Sequence, residues 1–352
     1  MSSPRPHHPG WLARLRAGDG LAWPVAILLF VLFLLVPLLP GEYWTVVATE
    51  ILILGLFAMS FNLLYGYMGQ ISFGHAAFFG VGAYATAMLF TALKAPAGDI
   101  GVPEFLLSLL VGPPVAALAA LFIGFFCVRL TGIYFAMLTL AFGEMLFYIV
   151  FSWYSFTKGD DGIQGLLPPA FFQDSANFYY FTLAIVVVAL FAMWRITESP
   201  FGSALRTLRD NQRRAAFLGT NVKMHMLANF VIAGAFAGLA GALWGPFSRS
   251  VNPGLLGWGE SGIAVFMTLI GGAGAFIGPI VGSVIYTMLQ AVVKMYTVYW
   301  PLTIGSVILL IVLFAPGGIL GIIERRLRPM RAGDEANGDD AAAAAGAAES
   351  KP

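Results

Sequence analysis

Long apolar runs follow one another along most of the chain, and they restrict it to membrane-spanning architectures. A helix needs about 20 mostly apolar residues to cross the hydrocarbon core of a bilayer. Runs near that length cover residues 22–39, 45–65, 75–93, 105–128, 131–152, 178–194, 226–246, 259–273, 277–296 and 299–315. Because the bilayer core offers no water to backbone amides and carbonyls, such runs are expected as helices. The sequence therefore predicts an all-α polytopic membrane protein with ten transmembrane helices.

The composition supports a membrane protein. Of the 352 residues, 59% are hydrophobic and 11% are charged, whereas soluble proteins carry about 25% charged residues. The first apolar run is longer than the apolar core of a signal peptide, about 7–15 residues, so we interpret it as the first membrane helix. The single cysteine, Cys127, lies in an apolar run and is assigned no redox or metal role.

Positive charges predict the orientation. With ten crossings and a cytoplasmic N-terminus, 15 of the 19 lysines and arginines fall inside, and only Lys94, Lys158, Arg249 and Lys294 fall outside. Because cytoplasmic loops carry an excess of Lys and Arg, the N- and C-termini are both predicted to be cytoplasmic. Eight or nine spans remain the alternative if 75–93 or 259–273 is re-entrant, but nine would place one basic terminus outside.

The predicted organisation has three parts. Residues 1–20 form a cytoplasmic N-terminal segment, residues 21–328 form the transmembrane domain, and the acidic, Ala-rich residues 329–352 form a disordered cytoplasmic tail. The ten spans divide into two sets of five, so the second set runs with the opposite orientation. Two inverted five-helix halves are a common way to build transporters.

A single long polar segment, residues 195–224, interrupts the apolar runs and holds six of the 19 lysines and arginines. Ser199 is a suitable N-cap and Pro200 a suitable first helical residue. Gly219 is a suitable C-terminal stop. The segment therefore predicts an ordered, amphipathic cytoplasmic loop that docks on something outside the membrane.

Two glycine-rich junctions occupy corresponding places in the two halves, at residues 66–84 and 253–262. Paired interruptions of this kind point to a translocation pathway, because unwound backbone needs protein or water as partner. The candidate pathway residues there are Gln70, Ser72, His75, Glu260 and Ser261. Close helix packing is the alternative for these junctions, and it is the interpretation that fits Gly234-x-x-x-Gly238.

Glu144 is a further pathway candidate, because it lies inside the predicted span 131–152. A carboxylate at mid-helix costs about 2.5–3.5 kcal/mol on insertion scales, so it should face a cavity or a partner. A hydrogen bond between packed helices is the alternative.

Motifs for several other functions are absent from the sequence. There is no G-x-x-x-x-G-K-[ST] phosphate loop, no H-E-x-x-H zinc motif and no G-x-S-x-G elbow. Nothing in the sequence suggests nucleic-acid recognition. We therefore predict no catalytic, metal or cofactor-binding residues in this chain.

Seven short stretches together resemble the permease subunits of bacterial branched-chain amino acid ABC importers, over about residues 45–325. In this sequence they are Gly66–Tyr84, Thr139–Glu144, Asp161–Ile163, Ser199–Gly202 running on to Leu208–Ala216, Ala237–Ala242, Gly271–Gly274 with Gly278-Pro279, and Ala315–Gly321. Two departures weaken the substrate assignment. Relatives often have a basic residue where Phe147 stands, and a Gly-Gly pair where Lys158-Gly159 stands.

The resemblance implies a set of partners. The chain would pair with a second, related permease subunit in the bacterial inner membrane. Two cytoplasmic ATPase subunits would bind ATP and Mg and do the hydrolysis, so this chain would be no enzyme. A periplasmic or lipid-anchored binding protein would deliver the substrate. The ATPase-coupling candidates carried over are Arg206, Arg209, Asp210, Ala215, Ala216 and Gly219.

Two alternatives remain open from the sequence. The same machine could carry urea, short amides or aromatic acids. Alternatively, the chain could belong to a different class of transport protein, a secondary transporter that works alone and uses Glu144 as a proton or ion site.

Overall fold

The computed structural model describes residues 31–38, 41–94, 100–314 and 318–319. The predicted segment 1–20 and tail 329–352 lie outside the described residues, as does most of the predicted span 22–39. Numbered in chain order, the helices are α1 (Glu42–Tyr65), α2 (Ala76–Leu93), α3 (Val102–Cys127), α4 (Ile133–Ser152), α5 (Tyr154–Thr157), α6 (Ala170–Gln173), α7 (Ser175–Thr197), α8 (Pro200–Asp210), α9 (Gln212–Phe217), α10 (Val222–Ser248), α11 (Trp258–Gly271), α12 (Gly278–Tyr296) and α13 (Trp300–Phe314).

Within the described ranges, seven helices are long and apolar enough to cross a membrane: α1, α2, α3, α4, α7, α10 and α12. The predicted all-α polytopic membrane protein is confirmed. Two further predicted spans are helical but short, since α11 has 14 residues and α13 has 15. The described helices thus support fewer full-length spans than the ten predicted.

Helix α1 lies at the centre of the bundle. The helices α2 and α3 pack on α10, while α11 and α12 pack on α1. Small residues allow close approach, as the sequence predicted for Gly234 and Gly238: a methyl group at Gly238 would overlap the side chain of Ala116, and Gly82 lies directly against the Gly238 backbone.

One small element was not predicted, a two-residue antiparallel pair of β1 (Ile163–Gln164) and β2 (Ser250–Val251). Ile163 is paired with Val251 and Gln164 with Ser250. Gly162 enters the pair with a φ of 64° and packs on the Val251 carbonyl, where a side chain would not fit. The pair joins the loop after α4 to the segment after α10.

Candidate functional site

The two glycine-rich junctions meet in the structure. Residues 66–75 separate α1 from α2, and residues 249–257 separate α10 from α11. The Ser261 hydroxyl of α11 accepts a hydrogen bond from the backbone amide of Ala76, the first residue of α2, at 2.8 Å. Gly80 of α2 packs tightly against Leu256. The two junctions are thus in direct contact, whereas their correspondence as parts of two inverted halves stays a prediction.

The polar candidates in the first junction are buried, and two of them bond to neighbouring elements. The Gln70 side-chain oxygen accepts from the amide of Gly132, immediately before α4, at 3.0 Å. His75 Nε2 lies 2.8 Å from the Ser60 hydroxyl of α1, and its ring is stacked on Phe57. The Ser72 hydroxyl is buried and has no hydrogen-bond partner among the described residues. A role for these side chains in contacting substrate stays a prediction.

Glu144 lies on the half-exposed side of α4 and reaches the second junction. Its Oε1 accepts a hydrogen bond from the amide of Trp258, the first residue of α11, at 3.2 Å. A carboxylate at a helix N-terminus is stabilised by the unpaired amides and by the helix dipole. Glu144 therefore fixes the start of α11, which is the packing role that the sequence left open.

Glu260 stands in the first turn of α11, half-buried. It lies within electrostatic range of Glu50 of α1 and Tyr286 of α12. Glu50 was not among the predicted site residues. An acid inside the apolar run 45–65 was the signal that could have identified it, by the argument used for Glu144.

The polar segment is ordered as two helices, α8 and α9. The Ser199 hydroxyl accepts from the Gly202 amide at 3.5 Å, and Pro200 is the first residue of α8. The predicted N-cap is confirmed. The predicted stop is also confirmed: Gly219 has a φ of 84°, and the Thr220 amide donates to the Ala215 carbonyl at 3.1 Å.

A break between α8 and α9 was not predicted. Asn211 is extended, and its side chain accepts from the Arg214 amide at 3.0 Å to begin α9. Asn is a strong N-cap, so it starts a second helix where the apolar periodicity of the first one ends.

Both coupling-candidate arginines of α8 have partners within the chain. Arg206 donates to the Thr197 carbonyl at 3.1 Å and lies 3.5 Å from the Glu198 carboxylate. Arg209 donates from Nη1 to the Gly66 carbonyl at the end of α1, at 2.7 Å. Asp210 is exposed and lies 3.6 Å from the Arg209 guanidinium.

The remaining coupling candidates split by burial, and a stronger surface feature lies beside them. Ala215 is fully buried, whereas Ala216 is exposed. Phe217 and Leu218, just before Gly219, are 91% and 74% exposed. An exposed apolar pair at the end of a polar segment was a visible sequence signal that the coupling-residue prediction did not use.

A cleft of about 120 Å³ opens at the other end of α1 from Gly66. It lies between the start of α1, the α6–α7 turn and the end of α10, and its walls include Thr49, Phe172, Phe247 and Arg249. The β1–β2 pair adjoins it through Arg249, whose carbonyl accepts from the amides of Gly165 and Leu166.

Residues 44–316 match the family described as branched-chain amino acid transport system, permease component. The chain is 25% identical over 309 residues to the high-affinity branched-chain amino acid transport system permease protein LivM of Escherichia coli K12, covering 80% of this chain and 71% of LivM. It is 26% identical to LivH of the same strain, covering 76% and 90%.

A relative with a different named substrate also matches. The autoinducer 2 import system permease protein LsrC of Escherichia coli SMS-3-5 is 27% identical, covering 61% of this chain and 67% of LsrC. Among solved structures, none matches this chain.

Proposed function

This chain belongs to the family of branched-chain amino acid transport permease components, and we propose how it works within an ATP-driven importer. It is one of two related permease subunits in a bacterial inner membrane. Separate cytoplasmic ATPase subunits bind ATP and Mg, hydrolyse the ATP and drive alternating access by docking on the α8–α9 segment. No nucleotide, metal or other cofactor is assigned to this chain.

The topology that fits this role has ten membrane segments in two inverted halves, with both termini cytoplasmic. The charge distribution, 15 lysines and arginines against four, supports the orientation. The packing supports the halves, because α2 and α3 pack on α10 as α11 and α12 pack on α1. That reciprocal arrangement is expected if α1 and α10 are equivalent helices.

The observation that carries the coupling role is the exposed pair Phe217 and Leu218, which we call the apolar tip. It ends a capped, ordered segment at the end of the bundle where Arg209 meets Gly66. Apolar side chains exposed together and framed by charge typically mark a protein contact. Since the chain has no phosphate loop of its own, an ATPase subunit is the partner that this surface requires.

The apolar tip can be tested by charge. The variant Phe217→Asp/Leu218→Asp should abolish co-purification with the ATPase subunits and abolish uptake, while membrane insertion stays normal. The matched variant Phe217→Leu/Leu218→Met keeps an apolar tip and should retain both. Uptake by the double-Asp variant at the wild-type level would reject the docking site.

The second permease subunit is proposed to cover α4. Only 22% of the apolar stretch of α4 is buried within this chain. One face of it carries Met137, Ala141, Glu144, Tyr148 and Phe151 at helical spacing. A carboxylate facing lipid costs about 2.5–3.5 kcal/mol on insertion scales, so the face that bears Glu144 is more stable against protein or a wet pathway between two permeases.

A photo-cross-linker attached to an introduced cysteine tests this interface. The sequence has a single native cysteine, Cys127, which is replaced first. In a Cys127→Ser background, Tyr148→Cys labelled with benzophenone maleimide should cross-link to the second permease. The same label at Val188→Cys, an exposed position on α7, should not. Equal cross-linking at both positions would contradict an interface on α4.

The substrate is proposed to be a branched-chain or related amino acid, supported by the names of LivM and LivH. Urea, short amides and aromatic acids are the alternatives, and the name of LsrC shows that similar permeases serve other cargo. A periplasmic or lipid-anchored binding protein selects the substrate and docks beside the cleft walled by Phe172, Phe247 and Arg249. Calorimetric titration of that binding protein with leucine, urea and benzoate identifies the cargo.

A further inference from the structure

The last turn of α1 is held by an unusually complete set of hydrogen bonds. A helix leaves its final carbonyls without intrahelical partners. Here the Asn62 carbonyl accepts from the amides of Gly66 and Tyr67, the Leu64 carbonyl from Gln70, and the Tyr65 carbonyl from Gly69. Two carbonyls of this turn, Leu63 and Gly66, accept instead from side chains of other helices.

These two side chains come from α8, within the docking segment α8–α9, and from α10, which follows it. Arg209, next to the last residue of α8, donates to the Gly66 carbonyl at 2.7 Å. Asn229 of α10, fully buried, donates from Nδ2 to the Leu63 carbonyl at 2.7 Å. The α9 helix and the apolar tip lie between them in sequence. The chain before α9 and the chain after the apolar tip are thus bonded to the same helical turn.

The Arg209 contact is more than a single bond. A positive side chain at a helix C-terminus also interacts favourably with the helix dipole. The Arg209 side chain packs against Gly69, where an added Cβ would lie 2.9 Å from Arg209 Cγ. Gly69 also has a φ of 73°, a conformation that favours glycine. A rigid guanidinium fork, hydrogen-bonded to a backbone carbonyl, holds α8 and α1 in one geometry.

The same turn of α1 is bonded to the second half of the chain. The Asn62 side chain donates to the Ala275 carbonyl at 3.2 Å and accepts from the Gly274 amide at 3.3 Å. Gly66 lies so close to this loop that a methyl group there would be 2.7 Å from the Gly274 nitrogen. The loop 272–277 connects α11 to α12, and α11 begins at the junction with Glu144 and Ser261.

We propose that the turn Asn62–Gly66 is the element that transmits movement of the docking segment to both junctions, with Arg209 and Asn229 as the positioning residues that grip it. This inference rests on the proposed docking of ATPase subunits on α8–α9. Displacement of α8 moves Gly66, the first residue of the segment 66–75, through the Arg209 hydrogen bond. The Asn62 hydrogen bonds then move the loop 272–277. Arg209 therefore acts within the membrane subunit, without contacting the ATPase.

The experiment measures ATP hydrolysis and leucine uptake in parallel, in proteoliposomes holding both permeases, the ATPase subunits and saturating binding protein. Arg209→Ala should assemble and hydrolyse ATP near the wild-type rate. Uptake per ATP should fall about tenfold, the factor for losing one charge-assisted hydrogen bond. Arg209→Lys keeps a charged donor and should recover part of the ratio. The matched control is Arg195→Ala, an exposed arginine of α7 whose side chain has no hydrogen bond or ion pair among the described residues.

Asn229→Ala provides the second variant, and it should lower the same ratio. Combined with Arg209→Ala, it should give less than the sum of the two effects on a free-energy scale, because both act through one turn. If Arg209→Ala does not fold, Asn229→Ala and Arg209→Lys decide the matter by the same ratio.

Each other outcome has a distinct meaning. Unchanged uptake per ATP in the assembled variants overturns the transmission role alone. Loss of the ATPase subunits from Arg209→Ala also overturns it, because Arg209 would then be part of the docking surface. A wild-type complex that neither binds the ATPase subunits nor hydrolyses ATP overturns the proposed function, and this inference with it.

Discussion

Helices α1 and α4 are similarly apolar and similarly long, yet they occupy opposite environments. In α1, 89% of the apolar stretch is buried by the rest of the chain, whereas in α4 the share is 22%. Apolarity predicts that a segment lies in the membrane. It does not predict whether the segment contacts lipid or protein, because lipid tails are as apolar as leucine side chains. The difference shows that α1 organises this subunit, while α4 is left for contacts beyond it.

The largest effect should come from truncating a buried aromatic side chain of α1, compared with the same truncation on α4. Phe61 of α1 is fully buried, and its ring lies 5.7 Å from that of His75. Phe61→Ala should lower the free energy of unfolding by about 3–5 kcal/mol, because it leaves a cavity. Tyr148→Ala on the open face of α4 should change it by less than about 0.5 kcal/mol. Unfolding of the isolated subunit in detergent measures both.

Similar losses of stability in those two variants would show that α4 is packed within the subunit after all. A conservative change, Phe61→Leu, serves as the control for the α1 position, because it keeps most of the buried apolar volume.

A smaller effect is expected where α1 approaches the second half. Gly66→Ala would force its methyl group into the Asn62 side chain and toward the Gly274 backbone. Overpacking of this kind costs about 1–3 kcal/mol. Gly262→Ala is the matched control, because nothing lies within 4 Å of the added methyl on α11. Thermal unfolding midpoints that drop equally for both variants would disprove the tight contact.

A conservative change at Glu144, the only charged residue of α4, should have a smaller effect than the Gly66 change. Glu144→Gln keeps an oxygen acceptor for the Trp258 amide, so stability should fall by no more than about 1 kcal/mol. Uptake should stay near the wild-type level across pH. Glu144→Leu removes the acceptor and should cost about 1–3 kcal/mol. Abolished transport in Glu144→Gln, with normal assembly, would favour a proton site there and a secondary transporter.

The features that the sequence predicted best are local ones. Ser199, Pro200 and Gly219 bound the polar segment as expected, because caps and stops depend on residues a few positions apart. The two interrupted junctions were also found, although the predicted stretches 66–84 and 253–262 are helical from Ala76 and from Trp258 on.

The contacts between helices could not be predicted in the same way. Arg209 was carried over as a coupling residue, but its bond to Gly66 spans 143 positions of sequence. Asn62 and Asn229 passed unnoticed because a single amide in an apolar run does not identify its partner. A helix as apolar as α1 carries almost no amphipathic pattern, so its central place was hidden too.

The β1–β2 pair constrains how this subunit is made. Ile163 and Val251 are paired, yet ribosomes add only about 5–20 residues per second, so Ile163 waits roughly 4–18 s for its partner. Helix α1 waits longer, because α10, α11 and α12, which pack on it, are all translated later. During that interval α1 rests against lipid or the insertion machinery. Truncated chains that stop before α10 should therefore be inserted and then degraded.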